Sequence, residues 1–325
     1  MWCDPRNGSG NAFIKALNDL ADACGHPELK TVPWALWGHS GGGHWAGGML
    51  LLYPERVSAA WLRSGVPALA ANPKRKHLKP YLDIPDEVLN VPIMCNLGTK
   101  EGVTHTKGRF SGVWEQNETF MKTLRAKDAL VGVAIDPKSS HDCGNSRYMA
   151  IPWFDIMLTQ RLPDTPGESM KTLSREDVWL SKPLANKAIS AKQVFGTTAS
   201  LSWLGSKDVA NLWEHYTKDT HVPDTTPPPA PTDVKVDGNI ITWQAEADLE
   251  SGLSHFIIFR DGTELTTVRG PKNDHGRSVF QGLHYSDTPL YPLKEMRYED
   301  TTQTPNIKHS YTIISVNTVG LKSEK

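Results

Sequence analysis

Apolar Phe13, Leu17, Leu20, Ala21 and Cys24 recur at helical spacing after the polar, glycine-rich residues 7–11, and Gly25 with Pro27 closes the segment. That pattern predicts an amphipathic helix. The next apolar run, 32–37, is too short for a helix and reads as a strand; glycines follow, then a second helical pattern over 44–53. The rhythm continues with strands over 57–62, 91–97 and 130–135 and helices over 114–126 and 148–162. Buried strands alternating with helices imply α/β architecture, a parallel sheet covered on both faces. Residues 163–221 carry one further helical pattern, over 203–216, and are expected to pack onto this first domain as a helical extension.

Past residue 232 the period changes. Short segments rich in β-branched and aromatic residues, 233–236, 240–244, 255–260, 264–268, 279–285 and 310–317, are separated by turn signals such as Asp237-Gly238-Asn239 and Asp261-Gly262. An all-β sandwich is expected there. Between the two regions lies a proline-rich run, 222–232, with little to bury and an extended, semi-rigid character. The chain therefore divides into an α/β domain (1–221), a linker (222–232) and an all-β domain (233–325).

Composition sharpens this division. Ten of the eleven tryptophans lie before residue 214 and all four cysteines (Cys3, Cys24, Cys95, Cys143) before residue 144. The 35 Lys+Arg against 36 Asp+Glu leave no basic stripe, which argues against nucleic acid or anionic lipid as the main partner. No apolar stretch reaches the ~20 residues of a membrane span, and the first residues carry no basic-then-apolar signal segment. The cysteines form no C-x-x-C pair; Cys143 could tether its loop through a disulfide or be a buried thiol. Asn7-Gly8-Ser9 and Asn117-Glu118-Thr119 match the glycan acceptor pattern, which chance often produces.

Gly38-His39-Ser40-Gly41-Gly42 fits G-x-S-x-G, with a strand before it and a helix after it. Alone, the five residues would equally suit a glycine-rich turn with a capping serine. The flanking elements favour a nucleophile on a sharp strand-to-helix turn, with the Gly41 N–H beside it to hold an oxyanion. An acid and a histidine should follow in that order. Glu101 sits on the loop after the strand ending at Leu97, and His141 on the loop after the strand ending at Ile135. Loops at one edge of a parallel sheet converge, so Ser40, Glu101 and His141 are expected to meet, with Asp136 as the reserve acid. His39, His44 and His105 lack the spacing of a zinc site, and no metal is expected. Trp37, Trp45, Trp114 and Trp153 could line an aromatic wall or simply fill the core.

On this serine, acid and histidine, residues 1–162 resemble the α/β-hydrolase fold, in particular secreted serine esterases of the polyhydroxyalkanoate depolymerase and feruloyl or acetyl xylan esterase kind. The departure is Glu101, where aspartate is more usual. Pro228-Pro229-Ala230-Pro231 ahead of the first strand, Trp243, and Tyr311-Thr312-Ile313 leading to Asn317 and Gly320 make residues 225–325 resemble a bacterial fibronectin type III module. The resemblance implies cleavage of carboxylic esters, polymeric or aryl, through an acyl-enzyme, without a cofactor, in a secreted or periplasmic protein. In the family the nucleophile strand is the fifth, so about a hundred residues and one oxyanion donor would precede Met1. The chain from Met1 is accordingly expected to react slowly with a serine-directed phosphonate. A prolyl oligopeptidase-like peptidase shares the fold and triad order, and an inactive remnant serving in binding or adhesion is the non-enzymatic alternative.

Overall fold

The computed structural model describes residues 3–71, 78–137, 139–220, 224–270, 293, 295–303 and 307–325. The chain separates into two compact units, Met1–His221 and Val222–Lys325.

Unit 1 begins with α1 (Ser9–Cys24), β1 (Trp34–His39), α2 (Gly41–Leu52) and β2 (Val57–Arg63). It continues with β3 (Ile93–Gly98), α3 (Val113–Arg125), β4 (Val131–Asp136) and α4 (Arg147–Arg161). The four strands form a parallel sheet in the order β1-β2-β3-β4. Every residue of β2, β3 and β4 is buried, which explains their near-continuous apolar sequences. Successive side chains point to opposite faces. Ala60 and Leu62 join the cluster formed with Met49 and Leu50 of α2 and Phe120 and Leu124 of α3, whereas Trp61 packs against Trp153 of α4. The amphipathic α1 adds Phe13, Ile14 and Leu17 to the first cluster. Leu20 and Cys24, assigned to the apolar stripe from spacing, are exposed, while Ala21 between them is buried.

Residues 163–221 depart from the expected helical extension. They form β5 (Trp179–Ser181), β6 (Ala188–Ser190), β7 (Ser202–Gly205) and α5 (Lys207–Asp219). The helix predicted from residue 203 starts at Lys207, capped by the Ser206 side chain accepting from the Val209 amide. The preceding residues pair instead as a strand in the antiparallel order β6-β5-β7. Three- and four-residue strands are too short to show a period of two.

The segment also closes the β4 edge of the parallel sheet. The Val133 amide donates to Ser202 Oγ at 2.5 Å, and Trp213 Nε1 donates to the Val133 carbonyl at 2.7 Å. Side chains thus satisfy backbone groups that a fifth strand would otherwise take.

Unit 2 contains β8 (Thr232–Asp237), β9 (Ile240–Gln244), β10 (Leu253–Arg260), β11 (Thr263–Val268), β12 (Arg297–Glu299) and β13 (Tyr311–Asn317). They form two antiparallel sheets, β12-β9-β8 and β11-β10-β13. Ile241 and Trp243 from one sheet and Phe256, Ile258, Val268 and Ile313 from the other share one core. The strand expected over 279–285 lies outside the described residues. Asp300, buried, accepts from Arg260 and from Tyr311 Oη, both at 2.8 Å, and so fixes the segment after β12 to β10 and β13.

Trp213→Phe should lower the unfolding free energy of the chain by about 1–3 kcal/mol, because it strands the buried Val133 carbonyl while keeping most of the packing. A lower denaturant midpoint at unchanged slope checks this.

Candidate active site

Ser40 occupies the turn between β1 and α2 with φ 54° and ψ −116°, a backbone conformation that L-residues rarely hold. The turn is tight enough that a Cβ on Gly38 would lie 2.2 Å from the Gly42 carbonyl oxygen, which is why glycines flank the serine. Gly65 is equally constrained, since its Cβ would lie 2.1 Å from the Ser40 carbonyl oxygen. The Ser40 amide donates to the Arg63 carbonyl at 2.8 Å, and the Ser40 carbonyl accepts from the His44 amide at 3.1 Å. Ser40 therefore ends the β1 ladder and starts the helix at once. Gly41 opens α2, where first-turn amides lack intrahelical acceptors and carry the positive end of the helix dipole.

His141 Nε2 lies 2.8 Å from Ser40 Oγ, and its Nδ1 lies 2.6 Å from Glu101 Oε1. Glu101 is fully buried, and its other oxygen accepts from Ser64 Oγ at 2.7 Å and from the Gly98 amide at 2.8 Å. The Ser64 hydroxyl, the Gly98 amide and the imidazole together occupy both oxygens of this carboxyl group. Phe110 stacks on the His141 ring at 3.8 Å with 8° between planes and limits its rotation. The structure thus brings Ser40, His141 and Glu101 into one line.

Arg63 and Ser64, at the end of β2, were not singled out from the sequence. Ser64 (φ 55°) orients the acid, while Arg63 holds the histidine loop. The buried Arg63 guanidinium donates to the Asp142 carbonyl at 2.9 Å, Ser139 Oγ at 2.6 Å, the Ser140 carbonyl at 3.3 Å and Asn96 Oδ1 at 2.8 Å. Asn96 also accepts from Ser146 Oγ and donates to Tyr216 Oη, which ties the network to α4 and α5. An arginine closing a buried strand whose only other polar residue is Ser58 was the available signal.

Asp136, the reserve acid, is placed elsewhere. Its carboxylate accepts from the Asn145 amide at 2.9 Å and sits 4.0 Å from Arg63, so it fastens the far limb of the 139–146 loop while Glu101 meets the imidazole. The other histidines also separate. His105 is exposed beside Thr104, and His44 lines a small cavity with Cys3 and Tyr81. His39 packs 5.2 Å from the His141 ring, and burial, reinforced by the charges of His141 and Arg63, pushes its pKa down to about 3. No group of three or more potential metal ligands is gathered among the described residues.

The four tryptophans do not form one wall. Trp45 packs on Phe13 and donates to Ser9 of α1, Trp153 is buried against Trp61, Trp37 touches Phe154, and Trp114 packs on the core. None of the four cysteines is disulfide-bonded, and Cys143 is a buried thiol. Asn117 of the second glycan pattern is fully buried within α3, its amide donating to the Val113 carbonyl at 2.9 Å.

No protein-family model, curated protein or solved structure matches the chain. What the arrangement can do chemically follows from its geometry: a hydroxyl within hydrogen-bond reach of an imidazole, whose far nitrogen is held by a buried carboxylate, is the constellation of an activated nucleophile.

Two outcomes follow. Arg63→Lys keeps the charge and loses the fork, so amide exchange should accelerate selectively over 139–146, read by hydrogen–deuterium exchange; unchanged exchange there would mean that another contact holds the loop. For His39, the unfolded imidazole binds a proton near the ordinary 6.5 and the folded one only near 3. Between those values the unfolded state holds the extra proton, so stability falls as pH drops through 6.5 toward 3. His39→Gln should therefore show a shallower loss of stability between pH 7 and 5, measured by denaturant titration at both.

Proposed function

We propose that unit 1 is a serine hydrolase cleaving carboxylic esters through an acyl-enzyme. The observation that carries this is the continuous contact from Ser40 Oγ through His141 to the buried Glu101, at 2.8 and 2.6 Å. Ser40 Oγ attacks the ester carbonyl carbon while its proton passes to His141 Nε2. The carbonyl oxygen takes the electron pair and becomes an oxyanion facing the Gly41 amide. Collapse of that intermediate breaks the bond to the alcohol oxygen, which leaves with the proton from His141. Water, deprotonated by the same nitrogen, then attacks the acyl-Ser40 carbonyl, and collapse of that second intermediate breaks the bond to Ser40 Oγ, which takes the proton back from His141 as the carboxylic acid leaves. Glu101 holds Nδ1–H throughout, fixing the tautomer and stabilising the transient imidazolium.

The order serine, acid, histidine along the chain and the strand-turn-helix setting of Ser40 support an α/β-hydrolase of the secreted esterase or depolymerase type. Within the same proposal, unit 2 is a fibronectin type III-like module and the protein acts outside the cytoplasm, on an ester that is polymeric or aryl.

Serine-directed phosphonate should label Ser40, however slowly, and Ser40→Ala should abolish the labelling. Glu101→Gln should reduce turnover of a p-nitrophenyl acyl ester by about 10³–10⁴-fold at neutral pH. Equal turnover by Ser40→Ala would overturn the mechanism, and faster cleavage of a peptide anilide than of the ester would move the protein to the peptidases.

A further inference from the structure

Phe110 lies face to face with His141, the side chain that becomes a cation in both halves of the reaction above. We propose that Phe110 is a positioning residue of the ester cleavage, acting through His141 by holding its π face against the transient imidazolium; the proposal rests on the hydrolase mechanism above.

Geometry is the first ground. The two ring centroids stand 3.8 Å apart with 8° between the planes. Uncharged aromatic pairs prefer an offset or edge-on arrangement with centroids roughly 4.5–7 Å apart, because two facing π surfaces carry the same sign of charge. A cation reverses that preference and is drawn onto the negative face, within about 6 Å of the centroid. The stack therefore suits the protonated imidazole better than the neutral one. An interaction that strengthens as the proton leaves Ser40 Oγ lowers the barrier without tightening the ground state.

The surroundings are the second ground. Only 8 % of the His141 side chain meets solvent, so protein groups must answer the charge that arrives there. Glu101 answers at the edge of the ring, through Nδ1, and Phe110 answers on a face. His39, 5.2 Å away, is held uncharged at neutral pH by its burial and adds no like charge. Arg109 sits 5.1 Å from the Phe110 ring but is exposed, where water and salt screen it. One loop delivers both partners of the imidazole: the Trp114 amide donates to the Glu101 carbonyl at 2.9 Å, the Val113 amide donates to the Phe110 carbonyl at 3.1 Å, and the Phe110 side chain packs on the core. The ring is thus in place before the charge forms.

Mono-, di- and trifluorinated phenylalanine at position 110 drain the π face in steps while nearly keeping the shape of the ring. In the full chain, kcat for p-nitrophenyl acetate should fall at each step, by about 5–30-fold over the series. KM should hold, because acylation and deacylation both pass through the imidazolium and slow together. The rate constant for phosphonate labelling of Ser40 should fall in parallel, and the unfolding midpoint should stay where it was. Phe110→Leu, which removes the π face outright, should lose at least as much turnover as the trifluorinated ring. A trifluorinated chain as fast as the unmodified one in both turnover and labelling, or a loss confined to KM, would overturn the assignment and leave Phe110 with packing alone. Absence of both turnover and Ser40 labelling in the unmodified chain would instead remove the hydrolase mechanism and this assignment with it.

Discussion

The candidate site depends on the buried Arg63 guanidinium. A planar cation removed from water must find an acceptor for nearly every N–H it carries, and the polypeptide supplies them by wrapping the loop after β4 around it. The carbonyls of Ser140 and Asp142 and the Ser139 hydroxyl point inward for that reason, and His141 is held among them. Removing the cation from such a network costs about 3–5 kcal/mol, enough to decide whether the loop has one conformation or several. The residue next to it, Ser64, performs the matching task for the acid. The end of one strand therefore registers both partners of Ser40 against each other, although neither partner lies on that strand.

The parallel sheet makes such economy possible. All four strands deliver their carboxyl ends to one edge, and the inter-strand ladder carries on past them: Ser40 to Arg63, Ser64 to Asn96, Thr99 to Asp136. Hydrogen bonding of the backbone thus sets the spacing of the loops before any side chain contributes. Side-chain contacts then select a single arrangement from those the ladder permits. The left-handed backbone at both Ser40 and Ser64 is tolerated because glycine neighbours leave room and because each serine is tied on both sides.

Much of this was legible beforehand. The strand and helix positions of the first 162 residues follow from runs of buried apolar residues, and Ser40, Glu101 and His141 follow from their places after strand ends. What stayed hidden has physical reasons. A choice between Glu101 and Asp136 turns on loop curvature, which pattern does not encode: one carboxylate ends a strand and the other lies just past a strand end, and both are consumed by hydrogen bonds, Glu101 to the imidazole and Asp136 to the Asn145 amide. Phe110 gives no signal because stacking leaves no periodic trace. The tryptophans left wall and core open because a large ring marks burial without saying against what. Strands of three and four residues between 179 and 205 fell below the length at which alternation is visible.

The sealing of β4 by Ser202 and Trp213 changes where the first unit ends as an independent folding body. Residues 1–162 hold every strand of the parallel sheet and all three triad members, yet a fragment cut there would bare the flank of its outermost strand, with an amide and a carbonyl of Val133 newly open to a neighbouring molecule. A piece that keeps these two groups covered extends through α5, so the carboxyl-terminal quarter of the unit serves as a built-in guard of the β4 flank against self-templated aggregation.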